Sequence, residues 1–330
     1  MKEDAKKLRN LLEEIISDIP ENRETGIMLS GGLDSSVLSC ILLSKGRKIR
    51  SISTSFRGYP MYDESEYVEM IETKYPQLEV NYISPIEINL LKELKELVEI
   101  IKEPIISGST ILQYLIMKKA KELGIKNLIY GQWADELMGG YDFFLLDKAH
   151  DDFCHLKISD TIRNISEYIQ RAKMIGTNLI FLRVIKGVIF SKGLRIALDK
   201  SIPNIKHLVD VAQKTANALN INLILPYANP KIIDFCNSLN PDRLVYKGQT
   251  KIILRESVTD ILPEGILTRK KKFGFFAPDS IWLLKNKDDI LNLKDEIIKK
   301  EYKKFLANPK KRWYKKLWFA LSNFYLKNGK

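Results

Sequence analysis

The sequence predicts an α/β protein, with a parallel β-sheet covered by helices on both faces and then a mostly helical C-terminal part. Three observations carry that prediction. Short apolar runs alternate with segments of helical period through the first 141 residues. One of these runs ends in a pair of glycines, and a helix follows at once. Beyond Tyr141 the strand signals fade and helical spacing dominates.

Leu8, Leu11, Leu12, Ile15 and Ile16 recur at helical spacing and open the chain with an amphipathic helix. Residues 26–30 read as a buried strand meeting a tight turn, and residues 34–43 as the helix after it. Residues 49–55 form a second strand, 63–75 a helix, 79–83 a strand and 87–101 a further helix. Ser109 is a good capping residue and starts a helix that runs to Leu123 on Ile111, Leu112, Leu115 and Ile116. Residues 127–130 are a fourth strand. Residues 1–141 are thus expected to form the sheet core. Residues 142–330 are expected to form a helical part that packs closely on the core, as one continuous domain with it or as a second unit.

Composition narrows the function classes. The 330 residues are 45% apolar, enough for a large core. A charged start with no apolar segment behind it argues against a secretory signal. No run of about 18 uncharged apolar residues is present, so no membrane span is expected. The longest apolar stretch, 179–190, is broken by Arg183 and Lys186. Cys40, Cys154 and Cys236 form no CxxC pair, and the three histidines lack metal-helix spacing, which argues against disulfides and zinc. The cytoplasm is the expected location. The net charge of +12 comes largely from lysines, concentrated between 294 and 316, and reads as solvated surface. Neither a membrane nor a nucleic acid is an expected partner.

The most specific feature is Ser30-Gly31-Gly32-Leu33-Asp34-Ser35-Ser36, between a strand and a helix. Gly31 and Gly32 let the backbone approach a phosphate and take positive φ. The hydroxyls of Ser30, Ser35 and Ser36 can donate to phosphate oxygens. The free amides and the dipole of the helix start favour an anion. A bare phosphate would repel Asp34, which suits it to hold Mg2+ beside one. No Gly-Lys-Ser/Thr follows, so this is not a Walker loop, and it is not GxGxxG. A capped glycine turn would explain a lone Ser-Gly-Gly, but all seven residues in this context outweigh that reading.

SGGLDSS resembles the pyrophosphate loop of ATP-pyrophosphatases and, in this spelling, that of the synthetase domain of asparagine synthetases and their relatives. Further segments match in order. Asp63-Glu64 resembles the acidic pair after the second strand, and Glu103-Pro104 with Ser109 resembles a DEP…S segment. GQWADELMGGY, from Gly131 to Tyr141, resembles GEGADELFGGY. Lys251 to Arg255, Leu262-Pro263, Arg269 to Phe275 and Pro278 resemble the closing KxxLR, LP and RxKxGFxxP. The resemblance runs from about residue 20 to 285 and is weakest between 142 and 219.

The resemblance implies a stand-alone synthetase domain without the glutaminase domain. Its fold would be a Rossmann-like parallel sheet of the ATP-pyrophosphatase (adenine nucleotide alpha hydrolase-like) type. It implies an AMP-forming ligase that uses ATP and Mg2+: a substrate carboxylate attacks the α-phosphate, pyrophosphate leaves, and the acyl-adenylate passes to ammonia or an amine. Asp34 and Asp135 match the metal carboxylates. Leu29, Ser30, Gly31, Gly32, Asp34, Ser35, Ser36, Ser55, Gly131 and Lys251 match the nucleotide site, with Ser53 and Phe56 near the adenine. Lys272 matches the pyrophosphate lysine when counted back from Gly274, and Lys271 when counted from Arg269. Asp135, Glu136 and Gln132 complete the reactive set. Lys251 and Arg255, four apart, share a helix face and serve either the phosphates or an ion pair.

Three departures bear on the substrate. Gln132 stands where the family carries an acidic residue, and an amide cannot act as a general base. In the segment 221–229, Asn222, Ile224 and Asn229 replace the family's Glu, Arg and Asp, and Lys102 replaces the Asp of DEP. Lys2, not a cysteine, follows Met1. Nitrogen is therefore expected from free ammonia, a partner glutaminase or an amine on the substrate, as in lactam synthetases and lasso-peptide cyclases. The acceptor is expected to be a small-molecule or peptide carboxylate. The alternatives are a tRNA-modifying ATP-pyrophosphatase and a non-catalytic ATP-binding scaffold.

Overall fold

The structure, a computed structural model, describes residues 2–174, 180–270, 276–309 and 314–328. The first half reads β1 (Thr25–Met28), β2 (Ile49–Thr54), β3 (Leu78–Ile83) and β4 (Asn127–Ile129). Its helices are α1 (Glu3–Ser17), α2 (Leu33–Ser44), α3 (Ser65–Lys74), α4 (Leu90–Ile101) and α5 (Ser109–Glu122). Then come α6 (Ala134–Met138), α7 (Phe144–Cys154), α8 (Ile158–Met174), α9 (Ile180–Ile189) and α10 (Leu194–Ala218). A fifth strand, β5 (Asn222–Ile224), precedes α11 (Pro230–Ser238), the two-residue strands β6 (Val245–Tyr246) and β7 (Gln249–Thr250), and α12 (Ile252–Glu256). The chain closes with α13 (Glu264–Leu267), α14 (Asp279–Lys285), α15 (Lys287–Asn292), α16 (Glu296–Ala307) and α17 (Lys315–Asn328).

The sheet is parallel throughout, in the order β3-β2-β1-β4-β5. The chain winds outward from β1 to β3 and then returns to the other side of β1. The order therefore reverses between β1 and β4, and a crevice opens there beyond the strand ends. Neighbouring side chains of a strand feed opposite cores. Ile27 and Ile129 join the core beneath α1 and α2, whereas Met28 and Leu128 join the one built by α4, α5 and α17. With both faces covered, these strands carry continuous apolar runs instead of an alternating pattern. This is the Rossmann-like α/β architecture expected from the sequence.

Two details differ from expectation. β5 pairs with β4, so the sheet takes a strand from beyond residue 142. It is three residues long and lies at the sheet edge, too short to show a period. The start of α5 is the second difference: Gly108 occupies the capping position and Ser109 is the first helical residue, its amide donating to Ser107 Oγ at 3.2 Å. The β6–β7 hairpin turns on Lys247 and Gly248, both at positive φ, as a type I′ turn requires.

Candidate active site

The loop after β1 places Ser30, Gly31 and Gly32 at the mouth of the crevice, with the N-terminus of α2 behind them. Gly31 has φ +73°, and a β-carbon there would lie 2.8 Å from the Glu64 carbonyl oxygen and 2.9 Å from Tyr67 Cβ. Only glycine meets both conditions. Ser30 Oγ accepts from the Gly32 amide at 3.3 Å, and Ser35 Oγ donates to the Gly32 carbonyl at 3.3 Å. The serines therefore hold the loop around the first turn of α2, whose unbonded amides favour an anion.

Asp34 and Asp135 come together across β1 and β4, and Lys251 joins them. Its ammonium lies 2.5 Å from Asp34 Oδ1 and 2.5 Å from Asp135 Oδ1, with the side chain only 4% exposed. Lys251 precedes α12 in the left-handed region at φ +54°, directly after the β6–β7 hairpin. That hairpin is held from α8. Asn164 Oδ1 accepts from the Gly248 amide at 2.7 Å, and Arg171 Nη2 donates to the Gly248 carbonyl at 3.1 Å. Tyr227, fully buried, donates its hydroxyl to the Asp34 carbonyl at 3.1 Å. Close packing continues on the other side, where Gly140 passes so near that a β-carbon would meet Asp135 Oδ1 at 1.8 Å.

The turn after β4 is built from unusual backbone. Trp133 has φ +81°, in the left-handed region that a bulky residue rarely enters, and it precedes the short α6 that carries Asp135 and Glu136. Trp133 stands where the resembling motif has a glycine. Glu136 is buried and accepts a hydrogen bond from the Tyr141 hydroxyl. Burial raises the Glu136 pKa and the Asp135 charge adds to that, against the Tyr141 bond. Burial likewise pushes Tyr141 far up, so its hydroxyl stays a donor.

The far wall is cationic. Arg269 pairs with Glu64, donates to the Gly31 carbonyl at 3.3 Å and lies 3.8 Å over the Tyr67 ring. Arg255 spends its guanidinium on carbonyls, donating to Thr250 at 3.1 Å, to Arg269 at 2.9 Å and to Leu267. Burial, and then the charges of Arg171 and Arg269, lower the Arg255 pKa to about 10. Burial is the larger cause, and the neighbouring guanidinium groups of Arg171 and Arg269 add to it. Gly32, Lys251, Arg171, Arg255 and Arg269 border a cavity of about 40 Å³. That holds roughly three waters.

The remaining sequence-derived residues fall as follows. Leu29 is core, its amide bonded to the Ile52 carbonyl at 3.0 Å. Ser36 is buried in the first turn of α2, and Gly131 backs onto Ser35, whose amide a β-carbon would approach to 3.2 Å. Ser55 and Ser53 are buried at the end of β2; Phe56 is buried in the core and presents no free face to a base. Gln132 Oε1 and Trp133 Nε1 are buried without a hydrogen-bond partner among the described residues. Lys271 and Lys272 lie outside the described residues. Asn229 caps α11 by accepting from the Lys231 amide at 3.0 Å, Asn222 donates to Asn127 Oδ1 at 2.9 Å, and Ile224 packs against the core. Sequence reasoning missed Asn164, Glu167 and Arg171. Their spacing puts them on one face of α8, and that buried polar stripe is the signal that would have found them.

Comparison with known proteins adds the following. The family profile for asparagine synthase matches residues 7–181 and 204–319. The glutamine-hydrolysing asparagine synthetase 1 of Bacillus subtilis is 25% identical over 310 residues, covering 81% of this chain and 48% of that protein. Glutamine-hydrolysing asparagine synthetase B of Escherichia coli is 25% identical over 293 residues, covering 82% of this chain and 44% of its own length. Glutamine-hydrolysing asparagine synthetase 3 of Arabidopsis thaliana is 27% identical over 145 residues, covering 41% of this chain and 24% of that protein. The chain thus spans half or less of the curated relatives it matches.

Proposed function

The chain belongs to the asparagine synthase family, and from that premise we propose that it is an ATP-dependent ligase that adenylates a carboxylate and passes the acyl group to ammonia or an amine. The observation that carries this reading is the convergence of Asp34 and Asp135 on one cation, beneath the Gly31–Gly32 turn. Two hard carboxylate oxygens aimed at one positive charge are a donor set suited to Mg2+. Asp34 and Asp135 would hold it, and its charge would offset the negative charge that gathers on the departing pyrophosphate.

The protein's own groups do the rest. The α2 amides and the Ser30 and Ser35 hydroxyls receive the triphosphate. Lys251, freed from the two carboxylates, becomes a phosphate cation. Arg269 fixes the loop through the Gly31 carbonyl, and the lysine run that follows it supplies further positive charge. The positive charges of Lys251, Arg171, Arg255 and Arg269 around the crevice stabilise charge developing on the leaving group.

The acceptor side differs from an aspartate site. Ile224 sits in apolar contacts where a guanidinium would clamp an α-carboxylate, and Asn222 is tied to Asn127. Aspartate is therefore not the substrate in this reading, which takes a different small-molecule or peptide carboxylate. Buried polar atoms are normally bonded, so Gln132 Oε1 and Trp133 Nε1 are an acceptor and a donor for polar groups of that substrate. Gln132 takes no proton, so the nucleophile arrives as free amine or ammonia, the latter from solution or from a glutaminase partner.

The test is incubation with Mg2+, ATP labelled at the α-phosphate, ammonium and a pool of carboxylic metabolites, with Asp34→Ala as control. Release of AMP and pyrophosphate that depends on the pool and is lost in the variant is expected. Formation of ADP in place of AMP overturns the mechanism. A second reading, nucleotide binding without turnover, draws on Gln132, Asn222 and Ile224, which replace the family's acceptor-side residues; tight ATP binding with no AMP from any pool would favour it.

A further inference from the structure

The stretch that the sequence sets apart as apolar but interrupted, around α9, is not absorbed by the active site. From Lys173 to Leu198 the chain carries five lysines and arginines and no aspartate or glutamate. None of the residues of α9 is buried. Its inner side, Val184, Gly187 and Val188, lies on α7: a β-carbon on Gly187 would touch Leu146, and His150 Nδ1 bonds the Val188 carbonyl at 2.7 Å. Its outer side presents Phe181 at 75% exposure, Leu182 at 57% and Ile189 at 63%, with Phe190 following at 73%. The His150 bond ties the end of α9 to α7, whose C-terminal end exposes Phe153 and is followed by the exposed Leu156. Large apolar side chains gathered at one surface mark a contact site.

We propose that this face of α9 seats the protein on an anionic lipid surface. At 100° per residue, Phe181, Ile185, Ile189 and Leu182 fall within one arc, and Lys186 and Arg183 flank it on one side. An apolar arc with a cationic flank is the pattern of a helix that lies in the headgroup plane. The carboxylates of α7 on this side are engaged within the fold: Asp147 accepts from Ser191 Oγ at 2.6 Å and Asp151 from the Leu194 amide at 3.0 Å. The face is therefore complementary to negative charge. No helix among the described residues is long and apolar enough to cross a membrane. A membrane partner, not expected from the sequence, thus enters through a helix that lies on the bilayer.

The test is co-sedimentation of the full chain with phosphatidylcholine vesicles, with and without phosphatidylglycerol, at low and high salt. The expected result is binding to the anionic vesicles only, weakened by salt. Arg183→Gln with Lys186→Gln should weaken it about thirtyfold, and Phe181→Ser with Phe190→Ser by about tenfold or more. These side chains face solvent, so circular dichroism should be unchanged. Equal affinity for neutral vesicles, no sedimentation with either, or indifference to both double variants overturns the proposal. So does a concentration-dependent dimer that Phe181→Ser with Phe190→Ser abolishes in a chain that ignores vesicles, which would make the face a contact between copies.

Discussion

Replacing Lys251 by methionine keeps the length of the side chain and deletes its charge. In the structure that charge sits 2.5 Å from Asp34 Oδ1 and 2.5 Å from Asp135 Oδ1. Taking one partner out of a buried ionic cluster costs about 3–5 kcal/mol, because the remaining charges keep their desolvation and lose their compensation. Here the two carboxylates are left facing each other as well. For a chain of 330 residues the unfolding entropy is about 0.7 kcal/mol per kelvin, so the variant should melt about 4–7 °C lower. The carboxylates set free should then bind a divalent ion in the folded state alone. At a Mg2+ concentration about a hundred times its Kd, that returns about 2.7 kcal/mol. The assay is a thermal or urea melt of both proteins across a Mg2+ titration, without nucleotide. The variant should regain most of its loss, whereas the wild type, whose lysine already fills the position, should respond less. An unchanged melting temperature in the variant, or an equal Mg2+ response in both proteins, would refute the reasoning.

Two further predictions concern stability and the loop. Burial raises the Asp279 pKa to about 7, against its hydrogen bonds to Trp318 and the Gly108 amide. The fold therefore prefers the protonated acid, so this contribution is whole below the ordinary value of 3.8 and is lost as pH rises through about 7. The wild-type urea midpoint should fall across that window by a stability equivalent of at most about 4 kcal/mol, and Asp279→Asn should flatten the fall; a parallel fall in the variant would reject the assignment. Gly31→Ala forces an L-residue into φ +73° and a β-carbon to within 2.8 Å of the Glu64 carbonyl. It should cost about 1–2 kcal/mol from the backbone alone, and more from the clash. ATP affinity measured by calorimetry should drop at least about tenfold, and retained affinity would show that the loop tolerates the change.

How much was legible in the sequence depended on how local the signal was. The β1–loop–α2 unit could be read because seven adjacent residues each had a reason to be there. The Asp135 segment could be read for the same reason. β5 carried no such signal, since three residues at a sheet edge take their conformation from β4 and not from their own pattern. Lys251 and Arg255 were expected on one helix face. The left-handed turn at Lys251 breaks that face: the lysine goes to the carboxylates and Arg255 to the carbonyls of 250, 267 and 269. No spacing rule shows a backbone turn of that kind. Trp133 could have been flagged, because a tryptophan in a glycine position of a known motif has to take a left-handed conformation and pack its ring. The brace from Tyr227 to the Asp34 carbonyl joins residues 193 apart, beyond any periodicity.

The two bonds that grip Gly248 make the hairpin a tether of fixed length. Asn164 holds its amide and Arg171 its carbonyl, and three residues later the chain delivers Lys251 to the carboxylates. Arg171 also reaches Asp142 at 3.0 Å and Glu167 at 3.0 Å, and Glu167 in turn pairs with Lys270 at 3.2 Å. One helix, α8, is therefore bonded to both sides of the crevice, through the hairpin that precedes Lys251 and through Lys270. The placing of Lys251 between the two carboxylates is thus tied to the placing of α8, an element 77 and 84 residues away along the chain at the two bonds that grip Gly248.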